Sequence, residues 1–207
     1  MLRFSPTAWA KLLFLRDLGP TEVGGFGITE SEDLLFVNDF VLVEQRCTET
    51  FTSLDDVAVA EFFEQQVDLG RQPQEFGRIW IHTHPGSCPQ PSPTDHRTFQ
   101  RVFGGCDWAV MFILARGGET FADLHWRQGG PARIPLDVEI DFSVPFAESD
   151  HVAWSEEYAT NVQPECWATA SHFGPGQPSP SASEPDADYA DLFAEPWAHD
   201  EFSESVR

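Results

Sequence analysis

The sequence predicts an α/β fold in which a mixed β-sheet is flanked by helices. Apolar residues at helical spacing alternate along the chain with short β-branched and aromatic runs that are bounded by glycine and proline. A chain of 207 residues is also long enough for one domain with a sizeable core plus an extension. We therefore expect one compact α/β domain, followed by a segment of different character.

The first predicted elements are a helix, three strands and a second helix. The helix begins at Ser5-Pro6, where a hydroxyl can cap the first turn, and ends at Gly19-Pro20. Strands are expected at residues 23 to 28, 33 to 37 and 40 to 46, with Asn38-Asp39 as a hairpin turn. Residues 54 to 69 then have the apolar spacing of a helix.

The second half of the domain is predicted to contain four more strands and one helix. A buried strand runs from residue 77 to the histidines and stops before Pro85, and a helix covers 93 to 103. Two more strands are predicted around Gly117-Gly118, at residues 108 to 115 and 120 to 126. Alternating apolar residues from 136 to 144 predict a half-buried strand that closes the sheet.

The predicted strand before Pro85 ends in two histidines at a spacing that suits metal binding. Side chains repeat every two residues along a strand, so His82 and His84 leave the same face. Asp95 follows in the first turn of a helix that starts at Ser92-Pro93. Catalytic zinc sites use three protein ligands, and two histidines with one carboxylate form such a set. The sequence therefore predicts a zinc site made by His82, His84 and Asp95.

Two further residues are candidates for catalysis. Hydrolysis of a peptide needs a group that moves protons to the leaving amine, and Glu22 lies where a helix ends and a glycine-rich strand begins. On its own, Glu22 would be an ordinary surface carboxylate. From spacing alone, Ser92 is equally a helix cap and a catalytic hydroxyl, and a helix N-terminus favours negative charge in either case.

Taken together, these residues resemble the signature of the JAMM metalloprotease family, also called MPN-plus or JAB. That signature is an upstream Glu, then His, Ser or Thr, His, Pro, six variable residues, Ser, two variable residues and Asp. Every position matches here, from Glu22 through the run 82 to 85 to Ser92 and Asp95. The resemblance implies a cytidine-deaminase-like JAB/MPN domain over residues 1 to 146 and one catalytic zinc ion. It also implies that Glu22 activates water and shuttles its proton, and that Ser92 stabilises the oxyanion.

The resemblance further implies an isopeptidase that cuts after the C-terminus of a ubiquitin-like protein, either maturing its precursor or removing it from conjugates. The compact catalytic region favours a bacterial pathway of ubiquitin-like modification. One alternative is the release of a sulfur-carrier protein or a small amide in cofactor biosynthesis. Another is a non-catalytic MPN scaffold, although such scaffolds generally lose ligands and this chain keeps all of them.

The rest of the chain differs in composition from the domain. Residues 1 to 136 contain 18 acidic and 11 basic side chains, whereas residues 137 to 207 contain 16 acidic side chains and a single arginine. We expect an unassigned extension at 147 to 173, where residues 154 to 173 are either a docked helix or part of the tail. Residues 174 to 207 read as an acidic, partly disordered linker and tail. The tail either solubilises the protein or binds activating- or conjugating-enzyme-like proteins of the same pathway.

The net charge of −22 argues against nucleic acid or an anionic membrane as the main partner. No apolar run approaches membrane-spanning length, and the N-terminus leads straight into a helix without a signal-peptide core. We therefore expect a cytoplasmic protein. The four cysteines form no close pair in sequence, so neither a disulfide framework nor a second zinc site is expected.

Overall fold

The computed structural model describes residues 1 to 165, in which helices and strands alternate along the chain. The helices are α1 (Pro6–Leu18), α2 (Asp56–Asp68), α3 (Pro73–Phe76), α4 (Pro93–Phe103) and α5 (His151–Asn161). The strands are β1 (Leu2–Phe4), β2 (Gly24–Ile28), β3 (Phe36–Val37), β4 (Asp39–Leu42), β5 (Gln45–Thr48), β6 (Phe51–Leu54), β7 (Ile79–His84), β8 (Trp108–Ala115), β9 (Thr120–Trp126), β10 (Ala132–Pro135), β11 (Val138–Ile140) and β12 (Val162–Pro164).

A mixed six-stranded sheet is the main layer, in the order β10-β9-β8-β7-β2-β4. Only β7 and β8 run parallel, and the other four neighbouring pairs in this sheet are antiparallel. Strand β8 is buried from residue 109 to residue 115, which fits its long apolar run. The expected α/β fold with a mixed sheet and flanking helices is confirmed.

The two faces of this sheet carry different sets of helices. Ile79 and Ile81 of β7 pack with side chains of α1 and α5, whereas Trp80 packs with side chains of α2 and α4. Because successive side chains of a strand point to opposite faces, the even-numbered residues of β7 face α2 and α4. His82 and His84 therefore lie on the same face as Trp80, toward the helix that carries Asp95.

Two small sheets flank the main one. The first has the order β11-β1-β3 and is parallel throughout, and the second has the order β12-β5-β6. Strand β1 corrects the expectation that the N-terminus leads directly into a helix. Leu2 and Phe4 are both fully buried, so this short stretch gains burial and two neighbouring strands before α1 begins at Pro6.

The predicted hairpin at Asn38-Asp39 is wrong. Strand β3 pairs with β1 in a small sheet, while β4 pairs with β2 in the main sheet. The amide of Asn38 donates instead to the carbonyl of Ile28 at 2.8 Å. The two strands predicted around this turn are also shorter than expected. Only Phe36–Val37 of 33 to 37 is a strand, and 40 to 46 is divided between β4 and β5, which belong to different sheets.

The predicted strand over 136 to 144 does not close the main sheet. Its strand is limited to Val138–Ile140, which pairs with β1 in the small parallel sheet. Strand β10, which the sequence did not indicate, occupies the edge of the main sheet beside β9. The difference has a physical basis, because alternation predicts a half-buried strand but not the strand that it will join.

Of the two alternatives for residues 154 to 173, the docked helix is observed as far as Asn161. The side chain of Trp154 in α5 is 7% exposed and its ring lies 5.7 Å from that of Phe14 in α1. The acidic tail from 174 to 207 lies outside the described residues, and the division of the chain at 146 and 174 stays a prediction. Within residues 1 to 165, no helix has the length and apolarity needed to cross a membrane.

Candidate metal centre

The strand β7 presents two histidines to one buried spot. The side chain of His82 is fully buried and that of His84 is 12% exposed. On the neighbouring strand β2, Gly24 lies opposite His82. A Cβ atom at Gly24 would lie 3.0 Å from Cγ2 of Thr52 and 3.6 Å from Cβ of His82. The tight contact is the one with Thr52, so glycine at this position allows β6 to pack closely against β2, whereas the distance to His82 is ordinary van der Waals contact.

Helix α4 holds the carboxylate of Asp95 through a reciprocal cap. The Ser92 hydroxyl accepts a hydrogen bond from the Asp95 amide at 3.1 Å, and the Asp95 carboxylate accepts one from the Ser92 amide at 2.6 Å. This arrangement satisfies two donors at the helix start and fixes the Asp95 side chain. The predicted cap at Ser92 is confirmed.

The ligand atoms of His82, His84 and Asp95 all lie within 4.8 Å of one another. Nε2 of His82 is 3.4 Å from Oδ1 of Asp95, and Nε2 of His84 is 3.6 Å from Oδ2. Ligands that bind a tetrahedral zinc ion at their usual distances are separated by about 3.3 Å. Within residues 1 to 165, no other three His, Cys, Asp or Glu side chains converge in this way. This group is able to hold a metal ion.

A main-chain hydrogen bond orients His84. Its Nδ1 lies 2.8 Å from the carbonyl oxygen of Cys88, in the loop between the histidines and α4. Because a carbonyl only accepts, Nδ1 carries the proton and the lone pair of the neutral ring is on Nε2. That tautomer turns the lone pair toward Asp95, as a metal ligand requires.

Several buried polar atoms at the site have no hydrogen-bond partner among the described residues. They are Nδ1 and Nε2 of His82, Nε2 of His84 and Oε2 of Glu22. Buried polar atoms without partners are costly and rare in folded proteins. A zinc ion would engage the two Nε2 atoms, so these residues fit the metal, while Nδ1 of His82 would still lack a partner.

The protonation preferences of two ligands also suit a metal. Burial lowers the pKa of His82, which favours the neutral imidazole that binds metal. Burial would raise the pKa of Asp95, but the imidazoles of His82 and His84 close to its carboxylate outweigh that effect and hold the pKa well below its usual range. His84 differs, because Asp95 and the Cys88 carbonyl raise its pKa against the effect of burial. A metal ion and a proton therefore compete for Nε2 of His84.

Glu22 lies just before β2, at the edge of the same group. The residue is 4% exposed, and its Oε1 is 3.8 Å from Nε2 of His84. Burial raises the pKa of Glu22 to about 8, with the Asp95 carboxylate acting in the same direction and His84 opposing it. A buried carboxyl group of this kind is typical of residues that exchange protons in catalytic sites.

The fold thus brings the five predicted site residues, Glu22, His82, His84, Ser92 and Asp95, into one place, while their roles stay predictions. Thr83 belongs to the signature as well, but the hydrogen bonds that support this group were not predicted. The Thr83 hydroxyl accepts from the Val23 amide at 3.1 Å and ties the histidine strand to the strand that follows Glu22. The Cys88 carbonyl orients His84, although a main-chain group leaves no signal in the residue type. The sequence also gave no indication of Gln45, whose side chain bonds to the backbone of Gly24.

No protein-family model and no curated protein matches this chain. Among solved structures, the chain is similar to one described as "JAMM: A Metalloprotease-like Zinc Site in the Proteasome and Signalosome". The similarity extends over 68% of this chain and 98% of that one, with 12% sequence identity and a TM-score of 0.35. A functional assignment for this chain therefore depends on the residues of its own site.

Proposed function

We propose that this protein is a zinc-dependent peptidase or isopeptidase that hydrolyses the bond after the C-terminus of a ubiquitin-like protein. The observation that carries the proposal is the convergence of His82, His84 and Asp95, with the buried carboxylate of Glu22 3.8 Å from Nε2 of His84. The match of these residues to the JAMM signature supports the same reading and suggests the substrate class.

His82, His84 and Asp95 would hold the ion, which leaves one tetrahedral position open. Zinc, when bound in this way, lowers the pKa of water and polarises a carbonyl oxygen. Glu22 would accept a proton from the attacking water and pass it to the leaving amine as the carbon–nitrogen bond breaks. Burial raises the pKa of this carboxyl group to about 8, which favours holding the proton for the leaving amine, and the positive charge of a bound metal ion would keep Glu22 ionised for the first transfer.

Ser92 has a hydroxyl proton available for the oxyanion. Its Oγ accepts the amide hydrogen of Asp95, so its own O–H can donate elsewhere. Capping and catalysis are therefore compatible at this residue. A donor held in place by a helix start is suited to stabilise the negative charge that develops on a carbonyl oxygen.

A groove lies between β6 and α4, and none of the five candidate site residues lines it. It has a volume of about 510 Å³ and is lined by Phe51 and Ser53 of β6 and by Thr94, Arg97 and Thr98 of α4, among others. Thr94 immediately precedes the ligand Asp95. Among the described strands, β6 pairs with β5 alone, so its other edge can accept an added strand. We propose that the C-terminal tail of the ubiquitin-like protein lies along this edge.

A trapping experiment tests the proposal. Glu22→Ala keeps the three metal ligands, so it should bind zinc like the wild type yet lack turnover. Purified from its native cells, it should retain a small ubiquitin-like protein or its conjugates, identified by mass spectrometry, whereas the wild type should not. Glu119→Ala, which removes an exposed carboxylate in the β8–β9 turn, is the matched control and should behave like the wild type.

The same trapping experiment also has a result that would contradict the proposal. If Glu22→Ala and the wild type retained the same proteins and no conjugate, the peptidase proposal would fail. The non-catalytic scaffold or the release of a small amide or sulfur-carrier protein would then be the better explanation.

A further inference from the structure

The backbone around Glu22 has a regular strand on one side only. On the β7 side, the Thr83 amide donates to the Val23 carbonyl at 2.9 Å. On the other side β4 ends at Leu42, which lies opposite Gly25. Glu22 and Gly24 point their backbone groups toward that second side, because these groups alternate in direction along a strand. These backbone groups would lack hydrogen-bond partners unless other groups took the place of β4.

The side chain of Gln45 takes the place of the missing strand at Gly24. Gln45 is the first residue of β5 and is 1% exposed. Its Oε1 accepts from the Gly24 amide at 2.8 Å, and its Nε2 donates to the carbonyls of Gly24 at 2.7 Å and Val43 at 2.8 Å. One side-chain amide thus makes both bonds that a neighbouring backbone would make.

The same strand also holds Glu22 directly. The Glu22 amide donates to the carbonyl of Thr48, the last residue of β5, at 2.9 Å. Strand β5 therefore forms hydrogen bonds with two alternate residues of this segment. The side chain of Gln45 bonds to Gly24, and the backbone of Thr48 bonds to Glu22. Together, these hydrogen bonds fix the backbone position of residues 22 to 24, where the chain enters β2 beside the histidine strand.

We propose that Gln45 is a positioning residue for Glu22. Its amide fixes the backbone at Gly24, two residues from Glu22, and thereby sets the distance between the Glu22 carboxylate and the metal ligands. This inference rests on the proposed role of Glu22. An amide is required because it combines an acceptor with two donors, whereas an ionised glutamate has no donor and methionine has only a weak acceptor.

The test compares two buried glutamines. Gln45→Met keeps the length of the side chain and removes its hydrogen bonds. The matched control is Gln66→Met, because Gln66 on α2 is also buried, at 7% exposed, and accepts a bond from Arg71 at 2.6 Å. Both variants are prepared with zinc and with the full chain. Zinc content should equal that of the wild type in each, since His82, His84 and Asp95 are unchanged.

The first measurement needs no substrate. Crystal structures of the zinc-loaded variants should show the Glu22 carboxylate displaced from its wild-type position in Gln45→Met and unmoved in Gln66→Met. A Glu22 that keeps its position in Gln45→Met overturns the proposal, whatever the activity. If Gln45→Met does not fold, Gln45→Asn replaces it, because asparagine keeps a polar amide but is too short to reach the same partners.

The second measurement is turnover of a conjugate captured by Glu22→Ala. A catalytic group that is misplaced by about 1 Å costs up to about 100-fold in rate, so kcat of Gln45→Met should fall by about 10- to 100-fold with KM nearly unchanged. An unchanged kcat, or an equal loss in Gln66→Met, overturns the positioning role. A Glu22→Ala variant that is as active as the wild type would instead refute the proposed function.

Discussion

Nδ1 of His84 donates a hydrogen bond of 2.8 Å to the main-chain carbonyl of Cys88. This bond links the end of the histidine strand to the loop that leads to Asp95, and it selects the tautomer whose Nε2 faces the other ligands. The thiol of Cys88 takes no part in it. The loop therefore contributes to the metal centre through its backbone conformation, independently of the side chain at this position.

Cys88→Ala should consequently leave metal binding intact. The carbonyl at residue 88 remains, so the zinc content and the zinc affinity should stay within about twofold of the wild type, well below the 10- to 100-fold loss expected when such an orienting partner is removed. Elemental analysis and competition with a chelating dye measure both quantities. A loss of zinc in Cys88→Ala would mean that the thiol, rather than the carbonyl, supports the site.

Removal of a ligand should abolish zinc binding, whereas removal of a buried histidine elsewhere should not. His84→Ala or Asp95→Ala should yield protein without stoichiometric zinc by elemental analysis. His125→Ala is the control, because His125 is largely buried on β9 and does not belong to the converging group. Full retention of zinc in His84→Ala would exclude the proposed centre.

Zinc should stabilise the folded chain. A ligand present at 100 times its dissociation constant adds about 2.7 kcal/mol to the free energy of unfolding, which corresponds to roughly 5 to 10 °C in Tm for a domain of this size. Calorimetry before and after chelation measures the shift. Asp95→Ala should show no difference between the two conditions, so a shift of equal size in that variant would place the stabilising metal elsewhere.

Ser92 and Ser5 offer a matched pair of helix caps. Each hydroxyl accepts an amide hydrogen at 3.1 Å, Ser92 at the start of α4 and Ser5 at the start of α1. Replacing either with alanine should cost about 1 kcal/mol of stability, and Ser5 also donates to the carbonyl of Asn38 at 3.2 Å. Only Ser92→Ala should also lower kcat, by about 10²- to 10³-fold, as expected for loss of an oxyanion donor. Equal activity of the two variants would leave Ser92 with the role of a cap alone.

Acid should destabilise the fold through His125. Burial lowers the pKa of His125 to about 4, with Arg133 and His96 acting in the same direction and Asp123 opposing them. The imidazole of an unfolded histidine has a pKa of about 6.5. As the pH falls, the unfolded state therefore binds a proton before the folded state does. The contribution of the neutral His125 ring to the free energy of unfolding is fully present above a pH of about 6.5, and it is lost as the pH falls toward 4. His125→Gln should flatten the dependence of unfolding free energy on pH over that interval, and an unchanged slope would contradict the assignment.

The metal centre could be predicted because its signals are local. The alternation of side chains along a strand places His82 and His84 on one face, and the Ser92-Pro93 start fixes Asp95 in the first turn of α4. What the sequence could not provide was long-range pairing. Nothing near Gln45 indicates that its side chain completes the hydrogen bonding of Gly24, which is 21 residues away. For the same reason, the strand predicted at 40 to 46 did not reveal its division between two sheets.

The measurement that tests the central claim most directly is cleavage of the conjugate retained by Glu22→Ala. Zinc-loaded wild-type protein is added to that conjugate, and the products are identified by intact mass spectrometry. We expect a ubiquitin-like protein with a free C-terminal carboxylate and a partner with a free amine, with no cleavage by Glu22→Ala. A conjugate that stays intact with the wild type, or is cut equally by Glu22→Ala, would contradict the assignment of this site as a zinc peptidase.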